Sequence, residues 1–144
     1  MAFLSYNEIA GDSCTIVKNA SLFHFGVLTS SMHMVWVNQV CGRLEGRYRY
    51  SNMLVYNNFP WPKSPISRHV VDVENKVQEL LNIRKEYDDS LADLYNPLLT
   101  PKKLTDAHKK LNRAVELCYR SKKFNSDLER LQYLFELYDD YVTE

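Results

Sequence analysis

The segment Glu45-Gly-Arg-Tyr-Arg49 holds the side chains with the clearest recognition chemistry in the sequence. If the segment is a strand, Glu45, Arg47 and Arg49 share one face at intervals of roughly 7 Å, because a strand rises ~3.3 Å per residue. Arginine can donate two hydrogen bonds to guanine and glutamate can accept one from cytosine, so such a row suits base reading in the major groove. A plain surface ion pair between Glu45 and Arg47 is the alternative.

The distribution of charge indicates a polyanionic partner for the same segment. The chain has 144 residues and a net charge of zero, with 18 basic and 18 acidic residues. Residues 1–69 hold six basic against three acidic residues, whereas residues 70–144 hold twelve against fifteen. Three of the six lie between Arg43 and Arg49, which concentrates positive charge locally. An ordinary charged strand edge would give the same pattern.

Sequence patterns typical of catalysis are missing. The sequence has no GxGxxG, GxxxxGK[ST], GxSxG or HExxH pattern. The four histidines are scattered, and Cys14, Cys41 and Cys118 form no CxxC pair. We therefore expect no catalytic residue, metal site or disulfide framework, and we interpret His33 as a hydrogen-bonded core histidine.

A proline-rich string follows the charged segment and predicts an ordered loop or a boundary. Its structural interpretation is that two aromatic rings hold an extended segment on the core while two asparagines bond turning backbone. The alternative is a stacking platform for a peptide or a nucleotide. The string consists of Tyr56, Asn57, Asn58, Phe59, Pro60, Trp61 and Pro62.

The elements that must position these residues differ between the two halves of the chain. Up to about residue 25 only short β-compatible pieces occur, Cys14 to Val17 and Leu22 to Phe25, so we expect the chain to begin partway through a larger architecture. A capped apolar helix is predicted from Thr29 to Gly42. Alternation from Arg43 to Tyr56 predicts a strand whose other face, Leu44, Tyr48 and Tyr50, packs on that helix.

Beyond Pro65 the pattern is helical. A stripe predicts one long helix from Ser67 to Ser90, capped by Ser67, with a short extension to Tyr95. Further helices are predicted from Thr100-Pro101 to Cys118 and from Ser126 onward, and the short connections favour an antiparallel bundle. The expected fold class is α+β and mostly α, with a small partial α/β unit in residues 1–66 and a helical domain in residues 67–144. No stretch of about 18 apolar residues exists, so we expect a soluble protein without a membrane span or signal peptide.

Five ordered blocks of the sequence resemble the carboxy-terminal part of MmeI-like enzymes. These are single-chain bacterial restriction-modification proteins that are also S-adenosylmethionine-dependent class I adenine DNA methyltransferases. The family's order is nuclease, helical spacer, methyltransferase, target recognition domain and helical C-terminal domain. The blocks are FGVLTSSMHMVW from Phe25, GRLEGRYRYS from Gly42, VYNNFPWP from Val55, LADLYNP from Leu91 and AHKKLNRAV from Ala107.

The resemblance implies a division of labour. Residues 1–66 would be the end of the recognition domain and residues 67–144 the C-terminal domain, working on double-stranded DNA in the bacterial cytoplasm beside an upstream methyltransferase domain. The family's catalytic Asn-Pro-Pro motif and cofactor loop lie upstream. We therefore expect no catalysis and no cofactor binding by this chain, with S-adenosylmethionine bound elsewhere in a longer adenine-N6 methyltransferase, with or without endonuclease activity.

The resemblance also assigns roles to individual residues. Base-reading positions of the family carry over to Glu45, Arg47 and Arg49, which agrees with the chemistry of their side chains. Asp12 and Ser13 are further base-contact candidates on a weaker match. Lys18 and Arg43 are candidate phosphate contacts that would position the strand without reading sequence.

The acidic helical tail is a poor DNA surface by itself, so we expect it to pack against the recognition domain. A second reading is that it encloses DNA through selected lysines, namely Lys102, Lys103, Lys122 and Lys123. The main alternative for the whole chain is a helical protein interaction module with a structural role. Its partner surface would be Tyr87, Tyr95, Tyr119, Tyr133, Tyr138 and Tyr141.

Overall fold

The computed structural model describes residues 1–12 and 14–143, with the backbone alone for Leu44. Helices dominate and the described sheet has two short strands, which confirms the expected class, α+β and mostly α. In chain order the elements are α1 (Leu22–Thr29), α2 (Ser31–Val40), β1 (Gly42–Leu44), β2 (Arg47–Arg49), a π-helical turn (Asn52–Tyr56), α3 (Ser67–Arg84), α4 (Leu91–Leu94), α5 (Lys102–Tyr119) and α6 (Asp127–Thr143).

Residues Leu22 to Phe25 lie in helix α1, so the prediction of a short β-compatible piece there is wrong. The Ser21 hydroxyl accepts from the backbone N–H of His24, and the His24 ring accepts from the backbone N–H of Ser21, which forms a capping box. A side chain at Gly26 would place its Cβ 2.6 Å from Val73 Cγ1, so glycine lets α1 lie close against α3. Packing against α3 thus overrides the strand propensity of the local sequence.

Helix α2 forms where the sequence predicts it and lies at the centre of the fold. Met32 and Trp36 are fully buried, and Trp36 Nε1 donates to the carbonyl oxygen of Val55 at 3.1 Å. At its start, the backbone N–H of Ser31 donates to Asn112 Oδ1 at 3.0 Å. Helix α2 is therefore fixed to the π-helical turn on one side and to α5 on the other.

Helices α3 and α5 form an antiparallel pair. Glu79 pairs with Lys110 at 3.0 Å and Glu86 pairs with Lys103 at 2.5 Å, so the residue numbers rise on one helix as they fall on the other. The predicted helix to Ser90 ends earlier, at Arg84, and begins after Ile66 without a side-chain cap from Ser67. Helix α5 likewise begins one residue late, at Lys102, with Pro101 at the capping position.

Helix α6 does not complete a three-helix bundle with α3 and α5, as the short connections predicted. It leaves α5 after its first turns and packs against α2, where the rings of Phe135 and Tyr138 lie 5.4 and 5.8 Å from that of Trp36. A single buried cluster joins residues on both sides of residue 66. The helical tail therefore shares its core with the preceding segment, as expected for a packing role.

The buried carboxylate of Glu116 ties α6 to α5. Its side chain accepts from Arg130 Nε at 2.9 Å and Nη2 at 2.5 Å, and from Arg113 Nη1 at 3.3 Å. Glu116 is 2% exposed, so its carboxylate is shielded from water. Two arginines satisfy a charge that would otherwise be costly to bury.

Two kinds of feature are absent from the described residues. No helix there is both long and apolar enough to cross a membrane. No group of three or more His, Cys, Asp or Glu side chains among them is placed to hold a metal ion.

Candidate nucleic-acid interface

Strands β1 and β2 form a hairpin that carries the charged segment. The pairing is antiparallel, with Gly42 opposite Arg49, Arg43 opposite Tyr48, and Leu44 opposite Arg47. The loop between them is Glu45-Gly46, and both residues have positive φ, 51° and 81°. A two-residue loop with two left-handed residues is a type I′ turn, whose twist matches that of the flanking strands.

Glu45 therefore lies at the hairpin tip and not within a strand, which corrects the predicted three-residue row. The predicted alternation does not continue through the turn, because the directly opposed pair Arg43 and Tyr48 shares one face although its two residue numbers differ in parity. Left-handed φ is unfavourable for glutamate, and Asn or Asp is the usual residue there. The carboxylate is consequently displayed at the exposed tip, next to Arg47.

Arg47 and Arg49 share the opposite face of β2 from Tyr48, about 7 Å apart along the strand. Both are exposed. Within the described part of the chain, Glu45, Arg47 and Arg49 have no side-chain hydrogen bond or ion pair, so the simple Glu45–Arg47 surface pair does not form. Three charged groups thus face solvent with their donors and acceptors available.

The other face of the hairpin is attached to α2. The guanidinium carbon of Arg43 lies 4.8 Å from the ring centroid of Tyr48, and the Tyr48 hydroxyl donates to Asn38 Oδ1. One residue after β2, the Tyr50 hydroxyl lies 3.0 Å from His33 Nε2. Both tyrosines therefore meet the helix as the alternation predicts, whereas the side chain of Leu44 lies outside the described residues.

His33 is a buried core histidine, as its place in an apolar helix predicts. It is 4% exposed, and its ring meets Phe59 edge-on at 4.7 Å. Burial lowers the pKa of His33 to about 4 and raises the pKa of Tyr50 to about 12. The hydrogen bond between them accordingly joins two neutral groups near neutral pH.

The proline-rich string is built into the core. Asn58 Nδ2 donates to the carbonyl oxygens of Met53 and Leu54, at 2.7 and 3.2 Å, at the end of the π-helical turn. Phe59 is 4% exposed, and the ring of Trp61 lies 5.5 Å from it. The carbonyl oxygens of Pro60 and Trp61 accept from Tyr119 and Tyr141 at 3.1 and 2.7 Å. This geometry supports the structural interpretation, in which the string connects the hairpin region to α5 and α6.

The weaker candidates lie on an exposed segment before α1. Asp12 and Lys18 are exposed and lie at turns, and Ser13 lies outside the described residues. Thr15 Oγ1 donates to Asn52 Oδ1 at 3.0 Å, which fastens this segment beside the π-helical turn that follows β2. No strand forms from Cys14 to Val17.

The helical tail holds two further sets of candidates, the lysines that could enclose DNA and the tyrosines that could bind a partner protein. Lys103 is engaged with both carboxylate oxygens of Glu86, at 2.7 and 2.5 Å, whereas Lys102, Lys122 and Lys123 are exposed. Five of the six tyrosines proposed as a partner surface are partly buried against the core, namely Tyr87, Tyr95, Tyr119, Tyr133 and Tyr138. Their packing disfavours the interaction-module alternative.

Sequence reasoning missed Asn38, the acceptor for Tyr48. An exposed asparagine near the end of an apolar helix gives no signal by itself, because its partner depends on where the hairpin turns. The fold and site together define a class, a mostly helical module that displays a charged hairpin from its central helix.

Comparison with known proteins places this module in a family. Residues 1–63 match the family model described as MmeI, target recognition domain, and residues 66–144 match that described as MmeI, C-terminal domain. The second covers more than half of the chain, and the chain belongs to the MmeI family.

Two relatives match along most of the chain. DNA methyltransferase A of Bacillus subtilis (strain 168) is 41% identical over 140 residues, covering 97% of this chain and 16% of the relative. A solved structure of the type IIL restriction-modification enzyme MmeI in complex with DNA matches with a TM-score of 0.82 and 41% identity, covering 88% of this chain and 17% of that one. The chain thus spans about a sixth of the length of each.

The described residues lack one arrangement that commonly holds a nucleotide cofactor. In that arrangement a strand leads through a glycine-rich loop into a helix. Here the two strands have three residues each and are joined to one another by a tight turn. The four glycines, Gly11, Gly26, Gly42 and Gly46, are separated along the chain.

Proposed function

We propose that this chain recognises a specific DNA sequence for a longer bacterial restriction-modification enzyme that methylates DNA. The hairpin would enter the major groove and present Arg47, Arg49 and Glu45 to base edges. The observation that carries the proposal is that these three charged groups are exposed and unpaired on a hairpin whose opposite face is fastened to α2. The relationship to MmeI, whose structure was solved in complex with DNA, supports DNA as the ligand of this surface.

The dimensions and chemistry of the hairpin suit this role. A two-stranded ribbon fits a major groove that is about 12 Å wide, and arginine pairs with guanine O6 and N7. A carboxylate at the tip is placed to accept from cytosine N4. The arginines and the glutamate therefore favour different bases, and together they can discriminate several base pairs.

The remaining candidates take supporting parts. Arg43 and Lys18 would contact phosphates and set the position of the hairpin on the duplex. Asp12 and Ser13 would contribute secondary base contacts from the segment before α1. Helices α3 to α6 would form the platform that holds α2.

Catalysis is assigned to other parts of the longer enzyme. The upstream methyltransferase domain would bind S-adenosylmethionine and transfer the methyl group to adenine, and this chain would choose where that happens. The expected setting is the bacterial cytoplasm, where double-stranded DNA is the partner.

A competition binding experiment with Arg47→Ala tests the proposal. The full-length enzyme is titrated with a duplex that holds the site it methylates, and with duplexes that change one base pair of that site. Arg47→Ala should lose discrimination at one base pair by about 5- to 150-fold, since a bidentate contact contributes about 1–3 kcal/mol. Arg68→Ala, which removes an exposed arginine at the start of α3, is the matched control. Equal weakening on every duplex by Arg47→Ala would contradict base reading.

A further inference from the structure

The residues of β2 and its continuation alternate in their surroundings. Arg47 and Arg49 face solvent, whereas the hydroxyls of Tyr48 and Tyr50 bond to Asn38 and His33 of α2. Each of the two candidate reading arginines is therefore followed by a tyrosine that is tied to the central helix. The pattern couples the direction of the two arginines to the position of α2.

We propose that the Tyr48–Asn38 and Tyr50–His33 pairs are positioning contacts that set how sharply Arg47 and Arg49 discriminate base pairs. This inference rests on the proposed function and extends it to four residues that need not touch DNA. The pairs act by fixing the angle at which the hairpin leaves the body of the protein.

The hairpin needs such contacts because it is small. Each strand has three residues, and a two-stranded ribbon by itself is at best marginally stable in water. Among the described residues, the extensive backbone contacts of β1 and β2 are with each other. Its orientation therefore depends on side chains that reach α2.

The two attachment points are placed to fix an orientation. Asn38 and His33 are five residues apart on α2, about 7.5 Å along the helix axis. One hydrogen bond would leave the hairpin free to pivot, whereas two at separate points restrain both its tilt and its rotation. The helix is itself firmly held, since Trp36 is buried and bonded to Val55.

The Tyr50–His33 pair should be the stronger of the two. His33 is 4% exposed and its Nδ1 is buried without a partner in the described part of the chain. Loss of the Tyr50 hydroxyl would leave Nε2 unpartnered as well, and unsatisfied buried polar atoms are costly. The Tyr48–Asn38 bond is exposed, so water can replace it in part.

The experiment measures discrimination by the full-length enzyme carrying Tyr48→Phe, Tyr50→Phe or both. Affinity is compared between the methylated site and duplexes with one changed base pair, over a range of salt. Each substitution removes one hydroxyl and should lower discrimination by about three- to tenfold, with Tyr50→Phe having the larger effect. The salt dependence should stay unchanged, because no phosphate-contacting charge is removed.

Three further variants distinguish a positioning role from a general loss of stability. Tyr133→Phe removes a hydroxyl that donates to the Tyr119 carbonyl oxygen at 2.9 Å on α5, so it should lower stability without changing discrimination. Asn38→Ala removes the Tyr48 partner from an exposed position and should reproduce Tyr48→Phe. In an Arg47→Ala background, Tyr50→Phe should have no further effect at the base pair read by Arg47.

The outcomes distinguish this inference from the proposed function. If Arg47→Ala lowers discrimination but neither tyrosine variant nor Asn38→Ala does, the positioning role is wrong and base reading by the hairpin stands. Loss of discrimination in Tyr133→Phe equal to that in Tyr50→Phe would also overturn positioning, since it would reflect stability. If Arg47→Ala itself has no effect on discrimination, both the proposed function and this inference fail.

Discussion

Arg43 lies directly across the hairpin from Tyr48, with its guanidinium carbon 4.8 Å from the centre of the tyrosine ring. Arg47 and Arg49 occupy the other face of the same ribbon. One short hairpin therefore holds cations in two different surroundings. The guanidinium of Arg43 stacks on Tyr48 and stays exposed, whereas Arg47 and Arg49 make no such contact and face outward.

Arg43→Ala should weaken binding to every DNA duplex by a similar factor. A phosphate contact contributes affinity without reading sequence, so base discrimination should be retained. The slope of log affinity against log salt should fall in magnitude by about 0.9, as expected for one lost phosphate contact. Titrations at several salt concentrations check this, and a change confined to one duplex would contradict the phosphate role.

Gly26→Ala should destabilise the protein by about 1–3 kcal/mol, as overpacking of a core does. The new Cβ would lie 2.6 Å from Val73 Cγ1 and 2.9 Å from Val77 Cγ2, so α1 and α3 must separate. Urea denaturation measures the change. Gly11→Ala is the control, because a Cβ there meets nothing within 4 Å. Equal midpoints for the two variants would mean that α1 and α3 do not pack this closely.

Glu116→Gln should lower the free energy of unfolding by roughly 3 kcal/mol or more. The substitution removes the charge that Arg130 and Arg113 share and leaves two guanidinium groups around a neutral amide. Glu79→Gln is the matched control, since the Glu79 side chain is 38% exposed against 3% for Glu116, and exposed pairs contribute about 0–1 kcal/mol. Chemical denaturation of both variants tests the difference, and a Glu116 effect no larger than the control would contradict the role of this network.

Stability should fall as the pH is lowered from about 7 to about 5. Burial lowers the pKa of His33 to about 4, and burial with the nearby Arg84 lowers that of His108 to about 4. Both values lie below the ordinary 6.5, so the unfolded chain binds more protons in this range. The two neutral rings therefore stabilise the folded protein fully at a pH above the ordinary histidine pKa of 6.5. This contribution declines as the pH falls toward the folded pKa of about 4.

Urea midpoints at several pH values measure this decline. His108→Gln should flatten it, even if the variant is less stable at neutral pH. A wild-type midpoint that does not change between about pH 7 and about pH 5 would contradict the histidine assignment.

Periodicity predicted the helical half of this chain better than the charged segment. The apolar stripes of α3 and α5 are long. In α3 the buried residues Val73, Val77 and Leu80 follow the predicted helical spacing. Helix α1 was mistaken for strand because its residues have β propensity and its helix depends on contacts with α3. The prediction that α6 packs with α3 and α5 is also wrong, since an apolar stripe does not specify which helix it contacts.

The hairpin shows where the candidate site could be read from sequence and where it could not. Arg47 and Arg49 could be selected as candidates from their charge and from their alternate positions on one strand. The position of Glu45 needed the turn, and Glu-Gly lacks the Asn-Gly or Asp-Gly signal of a type I′ loop. The bond from Tyr48 to Asn38 depends on the angle between the hairpin and α2, which no local pattern encodes.

The central claim is that the hairpin reads base pairs, and methylation mapping tests it most directly. Genomic adenine methylation by the full-length enzyme is mapped in a host without other adenine methylation, for the wild type and for Glu45→Lys with Arg47→Asp. Reversing these two charges exchanges hydrogen-bond donors and acceptors at the hairpin tip, so the methylated motif should differ at one defined base pair. An unchanged motif with normal activity would contradict base reading by this hairpin.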